Sequence, residues 1–148
     1  MQTVGSAAPG TFPEALPEEG PVPRRAMILA AGLGQRMRPL TADVPKCLVE
    51  VNGEPILFRS LRALAGAGVR EAVIVVGYEA AQVRRRVGRH FAGLDIVYVE
   101  APTFATTNNI RSLWDARRYC DEDILLIEGD VVFDRDVVVR LPSTASRR

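Results

Sequence analysis

Short apolar runs alternate with longer amphipathic stretches along this chain, and the alternation predicts strands and helices in turn. The strand candidates are aliphatic or β-branched runs that cover residues 26–30, 72–76, 95–99 and 124–127. The helix candidates carry apolar residues at near-helical spacing and cover residues 55–66, 79–91, 109–119 and 134–141. This repeated strand–helix order predicts an α/β fold with a mainly parallel sheet and right-handed crossovers.

The first 24 residues differ from the rest in composition. They hold five of the ten prolines together with Gly, Ser, Ala and Glu, and they have few large apolar side chains. Such a segment cannot bury enough apolar surface to fold by itself. We therefore expect a disordered extension over residues 1–24, one folded domain over residues 25–141 and a short tail over residues 142–148.

Charge and hydropathy argue against two classes of partner. Nineteen basic and eighteen acidic residues give a net charge of +1, which provides no general attraction for nucleic acid or an anionic membrane. No apolar run approaches membrane-spanning length, and the start lacks the features of a secretory signal. Cys47 and Cys120 match no metal or redox spacing, so we expect free thiols, with Cys47 packed in the core. The expected location is the cytoplasm.

The first strand candidate runs directly into a loop suited to phosphate. Gly32 and Gly34 remove side-chain bulk, so backbone N–H groups can approach phosphate oxygens closely. Arg36 and Arg38 add positive charge, and Lys46 supplies an ammonium group at the far end of the loop. The spacing matches neither the P-loop nor the complete dinucleotide-binding fingerprint. The loop therefore indicates a polyphosphate site of another kind.

The complete string L-A-A-G-x-G-x-R-(x8)-P-K, over residues 29–46, resembles the signature of the sugar-phosphate nucleotidylyltransferases. An alternative interpretation is a tight strand-to-helix turn with incidental arginines, which explains the glycines but not the Pro45-Lys46 pair. The resemblance implies a Rossmann-like three-layer fold, truncated relative to the family. It also implies transfer of a nucleoside monophosphate to a small phosphorylated acceptor, with release of pyrophosphate.

Three polar segments follow predicted strands and are expected to meet at one edge of the sheet. They are the 32–46 loop, residues 106–109 and residues 128–130. The resemblance implies that Arg36 contacts the β- and γ-phosphates, that Lys46 contacts the α-phosphate, and that Asp130 binds Mg²⁺. The alternative for Asp130 is a turn cap. The predicted nucleotide-binding residues are Ala30, Ala31, Gly32, Leu33, Gly34, Gln35, Asn108, Asn109 and Ser112.

A second sequence string narrows the resemblance to one group within this family. Residues 108–113, N-N-I-R-S-L, resemble the N-N-x-x-S-L segment of bacterial-type choline-phosphate cytidylyltransferases and of related phosphonate or inositol-phosphate cytidylyltransferases. Side-chain amides offer both donors and acceptors for reading a pyrimidine, so CTP is the preferred nucleotide. Arg111 departs from the aromatic residue expected at its position. It favours an acidic acceptor or a phosphate over choline.

The resemblance covers about residues 26–141, whereas the familiar enzymes continue further and place much of the acceptor pocket there. Three alternatives stay open: the chain is a fragment, a second copy or another subunit completes the site, or the protein binds nucleotide without turnover. Two other functions are therefore kept beside the cytidylyltransferase. One is a sugar-1-phosphate nucleotidylyltransferase that uses dTTP, UTP or GTP, and the other is a non-catalytic nucleotide-binding or regulatory module.

Overall fold

The computed structural model describes residues 21–106 and 108–141. The predicted extension therefore lies outside the described residues except for its last four, and the predicted tail lies wholly outside them. The strands of the described part are β1 (Arg25–Ala30), β2 (Glu50–Val51), β3 (Glu54–Pro55), β4 (Glu71–Val76), β5 (His90–Phe91), β6 (Leu94–Glu100) and β7 (Ile124–Glu128). Its α-helices are α1 (Ile56–Gly66), α2 (Ala80–Val87), α3 (Asn109–Asp115) and α4 (Arg135–Val139).

The main sheet has the strand order β5-β6-β4-β1-β7, and β2 and β3 form a separate hairpin. Strands β6, β4, β1 and β7 are parallel, and the short β5 is antiparallel to β6. The predicted mainly parallel sheet is confirmed. The chain builds the sheet outward from β1 to β6 and then returns to add β7 on the other side of β1. The strand order thus reverses between β1 and β7, where ligands bind in open α/β sheets.

Each face of the sheet has its own apolar core. On one face, Ile28 and Ile74 pack with Leu61 of α1, Val83 of α2 and Val138 of α4. The other face has a smaller core, whose members include Met27, Leu29, Val73, Val75 and Ala116, with Leu113 of α3 packed against it. Alternate residues of β1 and β4 enter opposite cores, as the two-residue repeat of a strand requires. Helices therefore cover both faces, which gives the predicted three layers.

Three predicted helices end earlier than their sequence pattern suggests, and one of them is the helix predicted over residues 134–141, which ends at Val139. The helix predicted over residues 79–91 ends at Val87, because Gly88 adopts φ +76° and turns the chain into β5. The helix predicted over residues 109–119 ends at Asp115 and is followed by a 3₁₀ turn, Arg117–Tyr119. None of the helices in the described part is long and apolar enough to span a membrane.

Candidate functional site

A cavity of about 470 Å³ opens at the carboxyl ends of β1 and β7, at the reversal of strand order. All three polar segments identified in the sequence contribute to it, so their predicted convergence is observed. The lining residues are Leu29, Ala30, Gly32, Leu33, Gly34, Gln35, Arg36, Met37, Lys46, Cys47, Phe104, Ala105, Asn109, Glu128, Gly129 and Asp130.

The glycine loop folds over the end of β1. Gly34 has φ +61°, and its carbonyl oxygen accepts a hydrogen bond from Thr41 Oγ1 at 2.6 Å. A side chain at Gly34 would approach Thr41 and Lys46 to within 3.0–3.2 Å, whereas one at Gly32 would meet no atom within 4 Å. Gly34 thus permits the tight bend of the loop, and Gly32 leaves open space on the cavity side of the backbone.

A third glycine brings the end of β7 against β1. The backbone N–H of Gly129 donates to the carbonyl oxygen of Leu29 at 2.9 Å, which extends the ladder between the strands by one residue. A Cβ atom at Gly129 would lie 2.7 Å from that oxygen and 3.0 Å from Ala30 Cα. This close approach places Asp130 directly beside the glycine loop.

Lys46 and Asp130 meet across the cavity. Lys46 begins a 3₁₀ turn, Lys46–Leu48, which is anchored because Cys47 and Leu48 are buried. The Lys46 ammonium forms a salt bridge and hydrogen bond with Asp130 Oδ2, and both side chains are about one-third exposed. An ammonium group and a carboxylate from opposite walls therefore face the same partly open cavity.

Arg36 lies on the same cavity but on its outer side. It belongs to the 3₁₀ turn Gln35–Met37 that follows Gly34, and its side chain is exposed. Arg38, two residues later, is also exposed and does not line the cavity. The structure thus distinguishes the two loop arginines, since Arg36 lines the cavity and Arg38 does not.

The Asn-Asn segment contributes one residue to the cavity. Asn109 lines it, and its Nδ2 donates to Glu128 Oε2 at 2.8 Å. Asn108 occupies the N-cap position of α3 without a side-chain capping bond, and it does not line the cavity. Ser112 is buried on the inner side of α3, and Ala31 is buried at the end of β1. Ser112 and Ala31 are therefore packed, whereas Asn108 is exposed, and of the predicted nucleotide-binding residues these three lie outside the cavity lining.

Arg111 and the aromatic residues Trp114 and Tyr78 do not line the cavity. Arg111 Nε lies 3.2 Å from Asp115 Oδ1, one turn along α3, and does not line the cavity. Trp114 is exposed, with the Arg117 guanidinium 4.5 Å from its ring centre, and the Tyr78 hydroxyl donates to the Ala42 carbonyl. Of the three aromatic residues Trp114, Tyr78 and Phe104, only Phe104 lines the cavity.

Phe104, Cys47 and Glu128 also line the cavity, although none of them is among the predicted site residues. Burial raises the pKa of the Cys47 thiol to about 12, which agrees with its expected role as a packed apolar residue. The position of Glu128 two residues before Asp130, at the end of the same strand, was a usable signal. Phe104 had none in its local sequence, since its place depends on how residues 101–106 cross the end of β4.

The donor set at the end of β7 fits a magnesium ion. Residues 21–106 and 108–141 contain no group of three or more His, Cys, Asp or Glu side chains that could form a complete metal site. Mg²⁺ is usually held by one or two carboxylates, with water and substrate phosphates completing the coordination. Asp130 supplies one such carboxylate. It already pairs with a positive charge, the Lys46 ammonium. Asp130 is thus suited to a metal that arrives with a phosphorylated ligand.

The chain is similar in sequence to known nucleotidyltransferases. Residues 26–148 match the model of the MobA-like NTP transferase domain. The chain is 49% identical over 120 residues to the CMP-5'-(3-aminopropyl)phosphonate synthase of Streptomyces rubellomurinus, covering 81% of this chain and 19% of that protein. It is 37% identical over 119 residues to a UTP–glucose-1-phosphate uridylyltransferase of Haloferax volcanii, covering 78% of this chain and 48% of that protein.

A solved structure shows the same fold. The CTP:phosphocholine cytidylyltransferase of Streptococcus pneumoniae superposes with a TM-score of 0.62 and 32% identity, over 76% of this chain and 50% of that one. The chain therefore spans half or less of the length of each of these relatives.

Proposed function

The chain belongs to the family of MobA-like NTP transferase domains, and from that premise we propose that it is the nucleotide-binding part of a Mg²⁺-dependent cytidylyltransferase. The reaction transfers CMP from CTP to a small phosphonate or phosphate and releases pyrophosphate. The single observation that carries the proposal is the contact of Lys46 with Asp130 across the cavity beneath the glycine loop.

The cavity residues match the charge changes of such a transfer. An oxygen of the acceptor attacks the α-phosphorus of CTP, and the bond to the oxygen that bridges the α- and β-phosphates breaks as pyrophosphate leaves. Lys46 would exchange Asp130 for the α-phosphate and offset the charge that develops there. Arg36, on the outer side, would hold the β- and γ-phosphates. Mg²⁺ held by Asp130 would neutralise phosphate charge.

The glycine loop supports this assignment by orienting the triphosphate. Gly32 leaves the backbone accessible, and Gly34 bends the loop so that it ends close to Lys46. Fixed backbone donors and one mobile ammonium would then hold the reacting phosphate from two sides, which lowers the barrier by positioning. The Lys46–Asp130 contact would open as phosphate and metal arrive together.

CTP is preferred because the relative that is 49% identical is named as a CMP-phosphonate synthase and the solved structure as a CTP:phosphocholine enzyme. A phosphonate is the favoured acceptor for the same reason. The uridylyltransferase similarity favours the alternative, a sugar 1-phosphate with UTP or another triphosphate. Arg111 is paired with Asp115 outside the cavity, so it does not support an acidic acceptor.

A second candidate is a nucleotide-binding module without turnover. It is favoured by the position of β7 at the edge of the sheet, since no further strand of residues 21–106 and 108–141 lies beyond it on the cavity side. In that case the triphosphate would bind at the same residues, but an acceptor would find no second wall. A completing partner subunit or second copy would convert this module into the transferase.

The two candidates are separated by measuring pyrophosphate release and triphosphate binding together. CTP, UTP, dTTP, GTP and ATP are each combined with Mg²⁺ and with 2-aminoethylphosphonate, phosphocholine or glucose 1-phosphate. Release that requires CTP and a phosphonate supports the proposed transferase, and release with UTP and glucose 1-phosphate supports the sugar alternative. Binding of triphosphate without release from any pair supports the module.

A further inference from the structure

The two acidic residues at the end of β7 contact opposite walls of the cavity. Asp130 pairs with Lys46, on the side of the sheet where α1 and α2 pack. Glu128 instead accepts a hydrogen bond from Asn109, the first residue of α3 on the other side. The Asp130 contact belongs to the proposed phosphate site, whereas the proposed transfer does not use the Glu128 contact.

The contact with Glu128 fixes the orientation of the Asn109 amide group. An ionised carboxylate only accepts hydrogen bonds, so it requires the NH₂ arm of the amide and excludes the carbonyl arm. The 2.8 Å distance from Asn109 Nδ2 to Glu128 Oε2 agrees with that orientation. Oδ1 then lies on the other arm, and no donor within residues 21–106 and 108–141 is hydrogen-bonded to it. Asn109 thus offers an oriented acceptor on the cavity lining.

The same wall suits a nucleotide base. With the phosphates between Lys46 and the glycine loop, the remaining lining opposite Lys46 is formed by Phe104, Ala105 and Asn109. An aromatic ring offers a stacking surface that accepts any base, and an amide at its side can read the edge of the base. The polar group that would discriminate between bases is therefore Asn109.

We propose that Glu128 is a positioning residue that makes Asn109 select a base with an amino group, such as cytosine, over one with a carbonyl group at the same place, such as uracil. The inference rests on the proposed function, since it needs a triphosphate in the cavity. The N4 amino group of cytosine donates, whereas the O4 atom of uracil accepts. Asn109 Oδ1, oriented by Glu128, would accept a hydrogen bond from the cytosine amino group. With uracil, Oδ1 and the O4 atom would face each other as two acceptors, which disfavours uracil.

The test is the ratio of CTP to UTP affinity, measured by calorimetric titration with Mg²⁺ present. The wild type should bind CTP about tenfold more tightly than UTP. Glu128→Gln replaces the acceptor-only carboxylate by an amide that can face either arm of Asn109, so the ratio should fall to within about threefold. Glu122→Gln removes the same charge just before the other end of β7, beside Arg25, and should keep the wild-type ratio.

A double-mutant cycle separates positioning from a general structural role. Asn109→Ala should abolish the discrimination by itself. Adding Glu128→Gln to Asn109→Ala should then leave the ratio unchanged, because Glu128 acts only through Asn109. A further change of the ratio in the double variant would show that Glu128 acts by another route, and it would overturn the proposal.

Inorganic tripolyphosphate with Mg²⁺ distinguishes failure of this inference from failure of the proposed function. If tripolyphosphate and both nucleotides bind but Glu128→Gln leaves the ratio unchanged, or if the wild type prefers UTP, the role of Glu128 is refuted and the phosphate site stands. If neither tripolyphosphate nor any nucleotide binds the wild type, the proposed function is refuted, and this inference with it.

Discussion

Strands β4 and β7 both pair with β1 and both consist largely of aliphatic residues, yet they are covered very differently. Residues 72–76 of β4 are fully buried, because β4 lies between β1 and β6 with helices on both faces. β7 lies at the edge of the sheet, and Leu126 in its centre is 50% exposed. The comparison shows that apolar composition produces a strand, whereas burial depends on what the rest of the fold places over it.

The exposed apolar residues concentrate on the β7 side. Most of the large apolar side chains that are exposed in the described residues belong to β7 and to the segments before and after it, namely Ile110, Trp114, Leu126, Val131, Val132, Val137 and Leu141. The same side carries Glu128 and Asp130. We infer that β4 and the elements packed on it, the β4 side, supply most of the stability of the described fold. The strand β7 and the segments before and after it, the β7 side, supply acidic residues for the proposed reaction. Four measurements test this division.

The largest expected effect is on the proposed catalysis and comes from the cavity, where Asp130 of the β7 side meets Lys46. Asp130→Ala and Lys46→Ala should each lower pyrophosphate release by about a hundred- to a thousandfold, since each removes charge stabilisation at the reacting phosphate. Arg85→Ala, on helix α2 of the β4 side, should stay within about twofold, because that exposed arginine lies away from the cavity. Similar losses in all three variants would contradict the site assignment.

The next effect is on stability and comes from the β4 side. Ile74→Ala should lower the free energy of unfolding by about 3 kcal/mol, since it leaves a cavity in a fully buried strand. Leu126→Ala should cost less than about 1 kcal/mol, because half of that side chain is already exposed. Urea unfolding of both variants measures the difference. Equal losses would mean that β7 is covered in solution, for example by a second copy of the chain.

A smaller effect is expected where β7 touches β1. Gly129→Ala should lower the free energy of unfolding by about 1–2 kcal/mol, because the new Cβ atom would meet the Leu29 carbonyl oxygen and Ala30 Cα, which are both backbone atoms. Gly32→Ala is the matched control, since a Cβ atom there meets nothing within 4 Å. Its stability should change by less than about 0.5 kcal/mol. A destabilisation by Gly32→Ala as large as that by Gly129→Ala would contradict the predicted steric origin.

The smallest effect concerns the amino ends of the strands, where Arg25 joins the two sides. Its guanidinium contacts Glu71 of β4 and also Asp121 and Glu122 before β7. The hydrogen bond from Arg25 lowers the pKa of Asp121 from its ordinary 3.8. A carboxyl group whose pKa is lowered by folding stabilises the folded state above the unfolded value and loses that contribution as the pH falls.

Asp121→Asn should therefore reduce stability slightly at pH 6, and the difference from wild type should shrink as the pH falls below about 3.8. Urea midpoints at pH 6 and pH 3 measure the effect. Asp123→Asn is the control, because Asp123 forms no salt bridge within the described residues. A difference that grows at low pH would have the wrong sign and would refute the role of Arg25.

The sequence predicted the strands well because their apolar runs are short and bounded by polar residues. It predicted that Lys46 and Asp130 would share a cavity, since parallel strands end at the same edge of a sheet. Helix α2 was predicted too long because the spacing of Val83, Val87 and Phe91 continues past its end. The stop signal, Gly88, was present in the sequence, and its φ of +76° explains why the helix ends there.

Other features depend on tertiary placement and leave little trace in local sequence. The string Ile124-Leu125-Leu126-Ile127 looks as buried as 72–76, and only the sheet order shows that its strand is an edge. The Asn109–Glu128 contact likewise depends on the direction in which α3 approaches the sheet. Sequence spacing identified both segments, but it could not show which side chains would touch.

Gly77 and Gly129 follow the two strands that flank β1, and both positions require a residue without a side chain. A Cβ atom at Gly77 would lie 2.7 Å from Phe104 and 2.8 Å from the Ala31 carbonyl oxygen, as close as the contacts at Gly129. A library selected only for folded protein should therefore retain these glycines while letting Lys46 and Asp130 vary. A library selected for turnover should retain all four, so the two selections together would separate residues kept for assembly from residues kept for chemistry.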